Sequence, residues 1–431
     1  MTARGAVEHY LDRIARLDPG LNAYISVRAE EAVAEAEAAP PGRLHGLAVG
    51  LKDVIHVAGT RTTAASRILA EHVATRDAVV VERLREAGAV VIGKLNLHEF
   101  AYGALTTSEH FGPARNPWNV DHVCGGSSGG SGSAVAAGFA DAALGTDTAG
   151  SIRIPAAFCG VTGVRPSMGL VPGDGVVPVS WTFDTVGPLA RTARECRLVL
   201  EVLADRPLET EARDLRIGVV SSLFDRADPE VAEACQKALD QLPGRAEPVE
   251  VPLHEEMGTI LQLIMLPEAA NAHLRWLRTR LADYGADVRA RLLAGLFVPA
   301  SAYVTGLRAR RFAIAEYERR LAMYDLLVAP TMPITAPRLD AISPDYRLLL
   351  IPYNSPWALL GLPVVSVPCG FVRGLPVGLA LVGRRREDGT ALAAAHTFQQ
   401  ATDWHERRPP LPFDERPQEV VYNRQSSRKG V

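Results

Sequence analysis

Residues 125 to 153 read GGSSGGSGSAVAAGFADAALGTDTAGSIR, and a lysine lies well upstream at Lys52 in GLKDVI. These segments hold two serines in glycine-rich backbone and one amine that could act as a base. A serine hydroxyl is a poor nucleophile until a base takes its proton. Around Ser151, the small residues Ala149 and Gly150 let the backbone take unusual dihedrals and let a substrate come close. Successive N–H groups of Thr148, Ala149, Gly150 and Ser151 can converge on one point, the arrangement that stabilises an oxyanion. The glycine-serine run is not a phosphate loop, because no Lys-Ser/Thr pair enters the following helix. The eleven histidines are scattered; His122 is the nearest to either loop, beyond a Cys-Gly-Gly stretch. Taken alone, GGSSGG reads most simply as a linker, and Lys52 as a half-buried lysine paired with Asp53. The second serine loop and the apolar helix expected over AVAAGFADAAL weigh against the linker.

Three of these segments, GLKDVI, GGSSGGSGSA and GTDTAGSIRIPAAFCGVTGVRP, together resemble the amidase signature family. KLNLHEFAYG, RNPW and DTVGPLART strengthen the resemblance, which covers most of residues 5 to 200; GLPVVSVPCG and ATDWHERRPP extend it weakly. The resemblance implies a Ser–cis-Ser–Lys triad: Ser151 as nucleophile, Ser127 as the bridging serine at the cis peptide, and Lys52 as base. It also implies backbone oxyanion donors at 148 to 151, a serine acyl-enzyme, and release of ammonia or an amine from a small carboxamide. Burial among the apolar residues around Lys52 would favour the neutral amine that a base requires. Asp147 and Arg153 are expected to pair and hold the turn, while Ser128 and Ser131 read as loop hydrogen-bonding groups. One departure from the family pattern is visible, since Ala149-Gly150 stands where many members carry two glycines.

Substrate choice is less legible. Tyr102, Trp181 and Phe183 are nominated as pocket residues, with walls from the helix expected over 256 to 284 and from Tyr353-Asn354. Two further readings stand beside the small-amide hydrolase: the glutaminase A subunit of a glutamine-dependent tRNA amidotransferase, and a hydrolase of urea derivatives such as allophanate or biuret. Against the amidotransferase stands Ile154, where a glutamine is usual. A non-catalytic binding relative is the remaining alternative.

The chain of 431 residues has 47% hydrophobic and 22% charged residues, the composition of a globular protein with a large core. The formal charge of −3 gives no reason to expect direct nucleic-acid or membrane binding. Five dispersed cysteines (Cys124, Cys159, Cys196, Cys235, Cys369) lack metal-ligand spacing and fit buried thiols in a cytoplasmic enzyme. No metal or organic cofactor is expected. Nothing resembles a signal peptide or a membrane span, and the early first helix leaves room for a longer natural N-terminus.

Alternating helices and strands point to the α/β class. The resemblance sharpens this to one amidase signature domain over 1–412: a large twisted mixed β-sheet sandwiched between helical layers. It further implies that homodimers are common. Residues 413–431 read as a polar, poorly ordered tail. Among the elements, a helix over 5 to 17 should stop at Asp18-Pro19-Gly20. Others are expected over 77–88, 229–241, 301–323 and 388–402, and buried strands at AVVIG, RIGVV, DLLVAP, LPVVSVP and GLALVG.

Overall fold

The computed structural model describes residues 2–208, 212–343 and 345–411. The expected tail at 413–431 lies outside them. One mixed sheet of eleven strands runs through the molecule. Its strands are Tyr24–Val27 (β1), Ala48–Lys52 (β2), Val90–Leu95 (β3), Ala142–Asp147 (β4), Thr162–Arg165 (β5), Thr185–Ala190 (β6), Leu215–Val220 (β7), Gly244–Val249 (β8), Leu326–Pro330 (β9), Val364–Val372 (β10) and Leu375–Gly383 (β11). They lie in the order β1-β3-β2-β4-β6-β5-β10-β11-β9-β7-β8. The β3-β2-β4 and β9-β7-β8 groups are parallel, and the strands between them are antiparallel.

The site-bearing strands are short apolar runs because both faces of the sheet are covered. Side chains along a strand alternate between faces. Val49 and Leu51 of β2, with Ala142 and Leu144 of β4, enter one apolar cluster together with Leu200, Leu392 and Phe398. Ala48 and Ala143, on the same strands, enter the opposite cluster with Val135, Phe139 and Ala156. The helices Gly129–Ala136 and Arg153–Cys159 pack on one another, and so do Ala193–Ala204 and Asp388–Ala401. Among the described residues no single helix is long and apolar enough to cross a membrane.

Two local expectations are corrected, and one helix forms where the sequence carries prolines. The first helix spans Ala3–Leu21 and runs through Pro19; it ends at Asn22 in the left-handed conformation. The Asp18 carboxylate accepts the N–H groups of Ala23 and Tyr24, so this residue secures the exit from the helix rather than stopping it early. The glycine-serine run is itself helical from Gly129, while the downstream part of AVAAGFADAAL forms β4. Its glycines answer to close packing: a Cβ on Gly130 would lie 2.4 Å from the Asn96 carbonyl oxygen. Finally, Tyr346–Leu360 is a helix despite Pro352 and Pro356 inside it, residues that argue against helix in the sequence.

The middle of the sheet leaves no room for added atoms. A Cβ on Gly187 of β6 would sit 2.1 Å from the Val164 carbonyl oxygen of β5. Gly187→Ala is therefore expected to cost about 1–3 kcal/mol through backbone displacement. Urea unfolding checks this, and an unchanged midpoint would contradict the tight β5–β6 approach.

Candidate functional site

Lys52 ends β2 and is fully buried. Its Nζ lies 2.7 Å from Ser127 Oγ, 2.7 Å from Thr146 Oγ1 and 3.4 Å from the Thr146 carbonyl oxygen. The sequence neighbour Asp53 is bound elsewhere: it takes Lys94 Nζ at 2.6 Å and the Thr63 N–H at 2.9 Å. The simple pairing of Lys52 with Asp53 does not occur. Lys94, on the neighbouring β3, neutralises that carboxylate instead. Burial pulls the Lys52 pKa from 10.5 down to about 7, against the opposing pull of Asp147 and Asp184.

Ser127 follows a cis peptide bond from Gly126. The loop has no space for a side chain there, since a Cβ on Gly126 would come 2.5 Å from the Leu105 nitrogen. The Ser127 carbonyl accepts the His98 N–H at 3.1 Å. Ser128 Oγ donates to the Thr146 carbonyl, and Ser131 Oγ to the Leu144 carbonyl, both at 3.1 Å. The Ser128 N–H donates to the Ser151 carbonyl at 3.1 Å, so the two serine loops lie against each other. His122 takes no part; it bridges to Arg338 at the surface.

Asp147 closes the turn before Ser151. Its carboxylate accepts the N–H groups of Gly150 at 2.9 Å and Ile152 at 3.1 Å. Arg153 reaches both carboxylate oxygens at 3.0 Å, and Arg165 reaches one at 3.0 Å. All three charged residues are buried. Burial alone would raise the Asp147 pKa, but Arg153 and Arg165 outweigh it and hold the carboxyl well below the usual range. The pairing of Asp147 with Arg153 is legible in sequence. Arg165 is missed there, although an arginine inside TGVRP carries the same signal as Lys52, a charge within an apolar strand.

The Gly150 N–H, expected among the four donors at 148 to 151, here donates to the Asp147 carboxylate at 2.9 Å. An aspartate three residues upstream captures it in a local turn. Gly150 takes φ +123°, and a Cβ there would meet Asn354 at 2.8 Å, so glycine is required at 150 while Ala149 is accommodated.

Ser151 opens into a cleft enclosing about 570 Å³, part of it open to solvent. Tyr102, Thr148 and Ala149 line it with Ser151, and the helix His254–Ala272 contributes Gln262 and Met265. Of the other nominated residues, Trp181 is half exposed and outside the cleft, and Phe183 is buried in the core beneath Arg310. Their neighbour Val179 lines the cleft instead. Tyr353 and Asn354 turn away to the carbonyls of Leu223 and Thr331, and Ser355 and Ile351 face the cleft in their place. Arg291 and Arg347 also line it. Neither is nominated from the sequence, where no pattern ties either arginine to Ser151. Among the described residues no group of three or more His, Cys, Asp or Glu could hold a metal ion. The five cysteines are free and buried.

Comparison with known proteins places this geometry in context. The family described as Amidase matches residues 5–392. The chain is 39% identical to the A subunit of the Glutamyl-tRNA(Gln) amidotransferase of Roseiflexus sp. (strain RS-1), over 94% of each chain. Among solved structures, one described simply as an amidase is 34% identical, with a TM-score of 0.88 over 93% of this chain and 96% of that one. A chain from a vestigial protein complex, described in connection with the origins of an s-triazine catabolic enzyme, is 32% identical with a TM-score of 0.88, over 93% and 95% of the two chains.

The buried Asp147 cluster gives a stability prediction. Asp147→Ala leaves two buried guanidinium groups without their shared carboxylate, a change expected to cost about 3–5 kcal/mol. Denaturant unfolding measures it, and a loss under ~1 kcal/mol would show that the ion cluster is not what secures the turn.

Proposed function

This chain belongs to the Amidase family, whose members hydrolyse amide bonds, and we propose that it does so through an acyl-enzyme on Ser151. The observation that carries this reading is the 2.7 Å contact between Lys52 Nζ and Ser127 Oγ in a buried site where, among the described residues, no carboxylate touches the amine. Neutral Lys52 takes a proton from Ser127 as Ser127 takes one from Ser151. Ser151 Oγ attacks the amide carbon, and the N–H groups of Thr148, Ala149 and Ser151 meet the charge that develops on oxygen. The C–N bond breaks, the proton returns through Ser127 to the leaving nitrogen, and ammonia or an amine departs. Water then hydrolyses the ester and restores Ser151. Lys52 is suited to this role because burial without an ion-pair partner favours its neutral form near pH 7.

The curated relative favours a more specific version, in which the chain is the ammonia-generating component of an amidotransferase and works with partner proteins. A stand-alone enzyme keeps the weaker support of one solved structure described only as an amidase, 34% identical to this chain. Co-purification of the natively expressed chain separates the two: stoichiometric partner proteins support the amidotransferase, and a free chain that releases ammonia supports the stand-alone amidase.

The mechanism makes two predictions. A serine-directed fluorophosphonate should add once to the parent chain and not to Ser151→Ala, as read by intact mass; labelling that persists in the variant would displace Ser151 as nucleophile. The rate of acylation should rise with pH through about 7, because only the deprotonated Lys52 accepts a proton. Below that point the slope should be about tenfold per pH unit. A flat profile from pH 5 to 9 would remove Lys52 from the proton path.

A further inference from the structure

The cleft beside Ser151 holds an uneven set of charges. Arg291 projects from the helix Ala286–Leu296 with little exposure, stacks 4.7 Å over the ring of Tyr102 and pairs with Asp287. Its Nη1 is buried and has no hydrogen-bond partner. Burial first, and then the nearby charge of Arg347, lower the Arg291 pKa to about 10. Arg347, at the start of the helix Tyr346–Leu360, lines the same cleft and has no hydrogen bond or ion pair among the described residues. Asp287, the carboxylate serving Arg291, also contacts His98 Nε2 at 3.3 Å. Among the described residues no aspartate or glutamate lines the cleft itself, whose remaining walls are mostly apolar, including Met265, Leu350 and Ile351.

Two guanidinium groups facing one cavity repel each other, and the one nearby carboxylate, Asp287, pairs with Arg291 and not with Arg347. A bound carboxylate supplies what is missing, since it can accept paired hydrogen bonds from a guanidinium fork. A bound ammonium does the opposite: it adds a third positive charge and finds no acidic group to receive it. We propose that the substrates are anionic amides without an amino group, their carboxylate held by Arg291 and Arg347, such as monoamides of dicarboxylic acids. Arg347 is then the residue that sets specificity against free amino-acid amides. The proposal draws on the amide-hydrolase reading only for the identity of the scissile bond.

Two matched series test it. Glutaramate, glutamine and pentanamide share a skeleton and differ in the ammonium and the carboxylate, as do succinamate, asparagine and butanamide. Binding to Ser151→Ala is measured by calorimetry, so that the result does not depend on turnover. In at least one series the anionic amide is expected to bind about tenfold or more tightly than both its amino-acid and its neutral counterpart, the gain expected of one charged hydrogen-bonded contact. Arg347→Gln should cut the preference for the anionic over the neutral amide by about tenfold. Equal or tighter binding of glutamine or asparagine, a preference for the neutral amides, no binding of any anionic amide, or an undiminished preference in Arg347→Gln overturns the proposal. Fluorophosphonate labelling of the parent reads the acyl-enzyme separately: a labelled Ser151 without the binding preference sinks only the substrate class, and the preference without labelling sinks only the nucleophile.

Discussion

The carboxylate of Asp147 is the point on which the rest of the site depends. It is buried at the end of β4 and gathers two arginines and two backbone N–H groups around itself. Those contacts join the turn before Ser151 to the helix Arg153–Cys159, to β5 through Arg165, and to the helix Tyr346–Leu360 through the Arg153 hydrogen bond to the Asn354 carbonyl. A buried charge is costly unless it is paired and fully hydrogen-bonded. Here that requirement is met by groups from distant parts of the chain, and meeting it fixes where Ser151 can be.

The lysine half of the site follows the opposite logic. Lys52 is buried beside two hydroxyls and a carbonyl, with no carboxylate in contact. The nearest acid in the chain, Asp53, is occupied by Lys94, and Asp147 is occupied by its two arginines. The structure thus contains two buried ion clusters and one amine that, among the described residues, has no carboxylate in contact. Desolvation is the largest influence on that amine and outweighs the opposing pull of Asp147 and Asp184.

Much of this is legible in the residues because each charge interrupts an otherwise apolar strand. Lys52 stands out for that reason, as do the glycine-bounded serines, and the alternation of helices and strands is enough for the fold class. The Asp147–Arg153 pair is visible from its short spacing. What sequence cannot supply is partnership across the fold. Arg165 meets Asp147 only because β5 and β4 both flank β6, and Arg291 and Arg347 line the cleft beside Ser151 from helices more than a hundred residues downstream. Aromatic residues near the turn before β6 are poor guides to the pocket: Phe183 has the volume and apolarity of a core residue and is one, while Trp181 lies outside the cleft. The helix Tyr346–Leu360 is hidden because tertiary packing of Tyr353, Trp357 and Leu359 overrides the local cost of its two prolines.

The pairing of β4 with its neighbours also acts as a charge-sorting device. Thr146 and Asp147 are consecutive, and a strand sends consecutive side chains to opposite faces. In the observed alignment Thr146 gives its hydroxyl to Lys52, and Asp147 gives its carboxylate to the arginines. Six consecutive pairs with β6, from Thr185 opposite Asp147 to Ala190 opposite Ala142, hold that alignment. A shift of β4 by a single residue would exchange the two faces. The carboxylate would then arrive where the hydroxyl now sits, form an ion pair with Lys52, and lock the amine in its protonated state. The strand ladder therefore decides more than shape: its phase is what allows the lysine to be uncharged.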